Sequence, residues 1–75
     1  MNIKVAKLIV RGIVQQVGYR AAVYGAISDQ LPNVCGYVKN LSNGDVEMLI
    51  FAEPYELKQV VEIAYLGSKR SKVES

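Results

Sequence analysis

The sequence contains no histidine and a single cysteine, Cys35. Without histidine there is no Ser-His-Asp relay, no imidazole general base and no His-rich zinc site. One cysteine cannot close an intrachain disulfide, which fits a reducing, cytoplasmic setting. Lacking a histidine partner, Cys35 reads as a buried small hydrophobe and not as a nucleophile. No apolar run approaches the length that crosses a bilayer. The opening stretch MNIKVAKLIV has a short apolar segment and no small-residue cleavage pattern after it, so it does not read as a signal peptide. An excess of one charge is also missing: nine Lys+Arg stand against seven Asp+Glu, a formal net charge of +2. That is too mild to argue for nucleic acid by itself. Lys69, Arg70 and Lys72 form a short basic cluster, followed by Glu74, and read as a solvated tail.

What is present is a chain of 75 residues, 51% hydrophobic and 21% charged. This is the composition of one folded domain, residues 1–75, with a thin core. From Ile3 to Val10 apolar residues first alternate and then run on as Leu8, Ile9 and Val10. That predicts a strand, central in its sheet because it ends unbroken in aliphatics. A loop follows. From Tyr19 to about Gln30, Tyr19, Ala22, Val23, Ala26 and Ile27 fall at helical spacing. Gly25 inside this helix costs about 1 kcal/mol relative to alanine and is read as permitting close approach to the sheet. Pro32 and Asn33 end the helix.

Val34 to Leu41 and Val46 to Phe51 read as two further strands. Ser42-Asn43-Gly44-Asp45 joins them, and Asn-Gly, whose residues both tolerate positive φ, predicts an antiparallel hairpin. Pro54 suits the first position of a second helix and Glu56 its positive end. Leu57, Val60, Val61 and Ala64 form its apolar stripe to about Leu66, and Gly67 marks its stop. Of the remainder, only Lys72-Val73-Glu74-Ser75 can begin a strand. The order β-α-β-β-α, with a fragment of a further β, is the α+β, ferredoxin-like split βαβ sandwich. It places two helices on one face of an antiparallel sheet, here with the last strand truncated. This plan hosts many functions and names none.

The chemistry must therefore come from the corner RGIVQQVGYR, Arg11 to Arg20. Arg20 lies in the first turn of the first helix, where orphan N–H groups and the helix dipole make the potential positive. A guanidinium is repelled there unless an anion lies between. Gln15, Gln16, Val17 and Gly18 supply successive backbone N–H groups in a tight connection, the makings of an anion-binding nest. Nest, helix start and arginine together fit a phosphate or a carboxylate. The spacing is neither the nucleotide P-loop nor the dinucleotide fingerprint. Asn40 is the second unusual residue, since asparagine is depleted in strands. It reads either as a strand-end residue entering the turn or as an amide that holds a water.

Gly12 to Arg20 resembles the acylphosphatase signature G-x-V-Q-G-V-G-[FY]-R, and Gly36 to Glu47 resembles that family's second signature, G-[FWY]-V-[KR]-N-x-x-[DN]-G-x-V-E. The resemblance continues through the second helix to Gly67 and Val73. It implies a hydrolase of carboxyl-phosphate bonds, working in the cytoplasm without metal or cofactor. It also implies that Arg20 binds the substrate phosphate, that Asn40 positions the attacking water, and that the amides from Gln15 to Tyr19 form the cradle. The substrate phosphate itself takes the water's proton in this scheme. The competing reading is a non-catalytic relative that binds anions or partners.

Gln16 stands where the family has glycine, and positive φ there would strain it by about 1–3 kcal/mol. Ala52 is a milder change of the same kind. Family domains continue past the point corresponding to Ser75 and complete a strand beside the first. An unpaired edge at that place is expected to promote self-association. No membrane or nucleic-acid partner is expected: Tyr37 and Phe51 are the only aromatics suited to stacking on an RNA-binding sheet.

Overall fold

The computed structural model of the protein describes residues 2–75. Its elements are β1 (Lys4–Val10), β2 (Gly12–Ile13), α1 (Tyr19–Gln30), β3 (Cys35–Asn40), β4 (Val46–Ala52), α2 (Pro54–Leu66) and β5 (Lys72–Val73). Both helices fall where apolar spacing placed them. In α1, Tyr19, Val23 and Ile27 recur every fourth residue and are buried. In α2, Val60, Ile63 and Ala64 are buried. Pro54 opens α2, and Glu53 and Glu56 close a reciprocal capping box around its first turn. The Glu53 N–H donates to the Glu56 carboxylate at 2.9 Å, so Glu56 caps as well as opposing the dipole.

The main sheet has the order β1-β4-β3, antiparallel throughout. The helices pack on one face of it, α1 against β3 and α2 against β1 and β4. This is the ferredoxin-like sandwich. Strand β4, and not β1, is central. Its residues Val46, Met48, Ile50 and Ala52 point alternately to the helix side and are all buried. By contrast, Val5 of β1 is 61% exposed and Ile9 39% exposed. The aliphatic run of β1 had suggested a central strand, but strand order depends on long-range pairing that a local run does not encode. Gly25 is likewise exposed, with nothing within contact distance of the Cβ it lacks. It makes no close approach to the sheet.

The β3–β4 connection is also longer than an Asn-Gly turn. Asn40 pairs with Val46, leaving Leu41 to Asp45 as the loop. The Gly44 N–H donates to the Leu41 carbonyl at 3.2 Å and the Leu41 N–H to the Asp45 carbonyl at 2.9 Å. Only Gly44 takes positive φ there. Asn43 contributes through its side chain instead, accepting the Asp45 N–H at 3.0 Å.

Strand β2 was not foreseen. It pairs with β5 in a small antiparallel ladder, Gly12 opposite Val73 and Ile13 opposite Lys72. Arg11 extends the pairing, its N–H donating to the Ser75 carbonyl at 2.9 Å and its carbonyl accepting the Glu74 N–H at 2.8 Å. Gly12 is required by contact: a Cβ there would run into the Lys72 carbonyl. None of the described helices is long and apolar enough to cross a membrane.

On the face of the sheet away from the helices, Glu47 is buried among three partners. It accepts the Tyr37 hydroxyl at 2.7 Å, and the Lys39 and Lys7 ammonium groups lie 3.5 and 3.6 Å away. The Tyr37 hydrogen bond, then the two cations, hold the Glu47 carboxyl below the usual carboxylate range, against the opposing effect of burial. A depressed carboxylate stabilises the fold above its unfolded pKa and loses that contribution as pH falls through the folded one. The urea midpoint of the unmodified chain should therefore drop on acidification from about pH 4.5 downward. Glu47→Gln should lower the midpoint at neutral pH and flatten this acid limb. An acid limb of unchanged depth in Glu47→Gln would show that other groups cause it.

Candidate active site

The corner after β2 is shaped by two residues in the left-handed region, Gln16 at φ 61° and Gly18 at φ 76°. Gly18 adopts this conformation freely as the N-cap of α1. Gln16 is the one described non-glycine residue with positive φ, so the strain anticipated at this position is present. No side chain caps α1, and its first turn holds no acidic residue. The first helical N–H to find a backbone acceptor is that of Ala22, on the Gly18 carbonyl at 3.0 Å. The preceding N–H groups form the positively polarised start of the helix. Helix α2, with its capping box, has no such opening.

Three long-range contacts anchor this loop. The Gln15 side chain points to the β3–β4 connection, its Nε2 donating to the Leu41 carbonyl at 2.7 Å and the Asp45 carbonyl at 2.9 Å. The Ser68 hydroxyl donates to the Val17 carbonyl at 2.7 Å. Tyr19 is buried in the core, and its hydroxyl donates to the Ala64 carbonyl at 2.7 Å. Burial pushes the Tyr19 phenol up to about 12, so the hydroxyl keeps its proton across the working pH range. Val17 also packs against the core. At positions 15, 17 and 19, then, the side chains are engaged in structure. None of these side-chain contacts was legible in the motif, because their partners lie far away along the chain.

Arg20 is exposed and makes no ion pair among the described residues. Asn40 ends β3, also exposed, with no side-chain hydrogen bond among the described residues. One cavity of about 150 Å³ is lined by Val14, Gln16, Gly18, Tyr19, Arg20, Ala21 and Asn40. Gln16 and Gly18 of the loop, the helix start, Arg20 and Asn40 therefore open on a common space, while Gln15 and Val17 do not line it. A guanidinium, a row of N–H groups and an amide around such a space can hold a tetrahedral oxyanion and one water.

The acylphosphatase family model matches residues 6–75. The chain belongs to the acylphosphatase family. It is 39% identical to an acylphosphatase of Vibrio vulnificus (strain CMCP6) over 75 residues, which is 99% of this chain and 80% of that relative. Among solved structures, it matches an acylphosphatase from Bacillus subtilis with a TM-score of 0.87 at 34% identity, covering 99% of this chain and 79% of that one. An acylphosphatase from Coxiella burnetii matches with a TM-score of 0.86 at 30% identity, over 99% of this chain and 76% of that one. Relative to the acylphosphatase signature, Gln16 sits at a glycine position whose φ suits glycine. Replacing it should relieve the strain, partly offset by the greater freedom of glycine in the unfolded chain. Gln16→Gly is expected to stabilise this acylphosphatase by about 0.5–1 kcal/mol, read from its urea midpoint. A lower midpoint would mean that the exposed glutamine side chain contributes more than its backbone costs.

Proposed function

We propose that this member of the acylphosphatase family is a metal-independent hydrolase that converts an acyl phosphate and water to a carboxylate and inorganic phosphate. Arg20 and the N–H groups from Gln15 to Tyr19 bind the phosphoryl oxygens. Asn40 holds the attacking water through its amide. Water oxygen bonds to phosphorus, and the bond from phosphorus to the carboxyl oxygen breaks. The electron pair leaves with the carboxylate, and the water's proton passes to the phosphate. A carboxylate is a good leaving group, so positioning and charge stabilisation can carry the catalysis without a histidine. The single observation behind this reading is that Arg20, Asn40 and the uncapped start of α1 line one cavity.

Cys35, expected to be buried, lies instead exposed at the start of β3, and on this free thiol we assign the cytoplasm as compartment. Residues 1–75 act in this reading as one domain. The outer edge of β1, with Ile3, Val5 and Ile9 exposed, is the surface assigned to self-association. Sedimentation should then show a mass that rises with protein concentration. A monomer at every concentration would remove that assignment and leave the catalytic one standing.

Turnover of a small acyl phosphate such as acetyl phosphate tests the function. Arg20→Ala should reduce kcat/KM by about 1,000-fold or more, and Asn40→Ala should reduce kcat by about 100-fold, both variants still folding. Full activity in Arg20→Ala would sink the reading. Phosphate binding by the unmodified chain without turnover would favour the non-catalytic, anion-binding alternative.

A further inference from the structure

Asn40 has to stand at a fixed distance from the loop that holds the phosphate, yet nothing grips its own side chain among the described residues. Its position follows from the end of β3 and the connection that begins at Leu41. Gln15 reaches that connection from the corner. Its amide nitrogen donates at once to both ends of the connection, to Leu41 at 2.7 Å and to Asp45 at 2.9 Å. These two residues are themselves bonded to each other, N–H of Leu41 to carbonyl of Asp45 at 2.9 Å. The fork therefore closes on the base of the hairpin loop, one residue from Asn40. Among the described residues, the other side-chain contact between the corner and this loop is Arg11 Nε to the Asp45 carboxylate at 3.8 Å, with Arg11 68% exposed. An exposed pair at that distance holds little.

We propose that Gln15 is a positioning residue, whose side-chain amide sets the separation between the phosphate cradle and Asn40. This rests on the site reading given above. The chemistry explains the residue type. Two carbonyl oxygens face it, so two donors on one atom are needed, and a primary amide nitrogen supplies both. A carboxylate of the same shape supplies none. The two carbonyls do not depend on Gln15 for satisfaction: that of Leu41 also accepts the Gly44 N–H at 3.2 Å, and that of Asp45 the Leu41 N–H. Removing the amide therefore loosens the hairpin against the cradle without stranding a buried acceptor, and the variant should fold.

The test measures kcat, KM for acetyl phosphate and the inhibition constant of inorganic phosphate in Gln15→Met and Gln15→Glu, with circular dichroism as a check of folding. A displacement of about 1 Å at the water-holding group can cost on the order of 100-fold in rate. Gln15→Met should lose about 10- to 100-fold in kcat while phosphate inhibition stays within about threefold, since the cradle and Arg20 remain. Gln15→Glu should lose activity at neutral pH and recover part of it on acidification, because a protonated carboxyl regains one donor. The unmodified enzyme should lack this acid rise. A kcat in Gln15→Met within about twofold of the unmodified chain overturns the role, as does phosphate inhibition that weakens in step with kcat. The Glu variant settles the matter if the Met variant fails to fold: no acid rise overturns the role. Absence of turnover in the unmodified chain would instead overturn the site reading, and this role with it.

Discussion

The burial of Tyr19 is the constraint on which the corner depends. The ring lies almost wholly inside, between the start of α1 and the end of α2, with its hydroxyl on the Ala64 carbonyl. A phenol that is buried must find a polar partner, and here the partner lies in the last turns of the other helix. This fixes both the position of α1 along its axis and its rotation about it. Successive helical residues are turned by about 100°, so with Tyr19 driven inward Arg20 is carried to the surface, where it joins the cavity wall. The placement of the cation thus follows from a hydrophobic and hydrogen-bonding requirement one residue earlier.

The two helix starts show how differently the same physics can be used. Helix α2 closes its first turn within the chain, by the capping box of Glu53 and Glu56. Helix α1 begins on a glycine that offers no side chain, after a residue held at unfavourable φ. In structural terms the second start is incomplete, and the nearby arginine makes it more so. A strained backbone beside a cavity is the kind of local cost that persists where the surrounding packing over-determines the geometry. Here that packing is Tyr19 and Val17 in the core, with Ser68 and the Gln15 amide fastening the loop from either side.

Periodicity alone placed both helices closely, because the apolar residues of each recur on one face and glycine or proline stands near the ends. The two signature stretches also carried most of the residues that line the cavity, among them Gln16, Gly18, Arg20 and Asn40. What could not be read was distance. The approach of Asn40 to the loop depends on the register of β3 on β4 and on the course of Gln15, and neither is a local property. The same limit explains β1. Its aliphatic run is real, but pairing order put β4 between its neighbours, and the burial of Val46, Met48, Ile50 and Ala52 shows which strand the core required. The sign of φ at Gln16 was open for a similar reason, since glutamine itself gives no signal for a left-handed turn. The five-residue hairpin loop departed from the Asn-Gly expectation because Asn43 uses its side chain, and not its backbone, to make the turn.

The contacts that fasten the corner share a property that concerns time more than energy. Arg11 is joined to Ser75, Gln15 to Leu41 and Asp45, Val17 to Ser68, and Tyr19 to Ala64. Nearly every one spans a large part of the chain. Contacts of such separation close large loops and form slowly compared with helix turns or hairpins. The β3–β4 hairpin and both helices can take shape from neighbours in sequence, while the corner must wait for the segment from Ala64 onward. On a growing chain, the corner that opens on the cavity is therefore made early and fastened last.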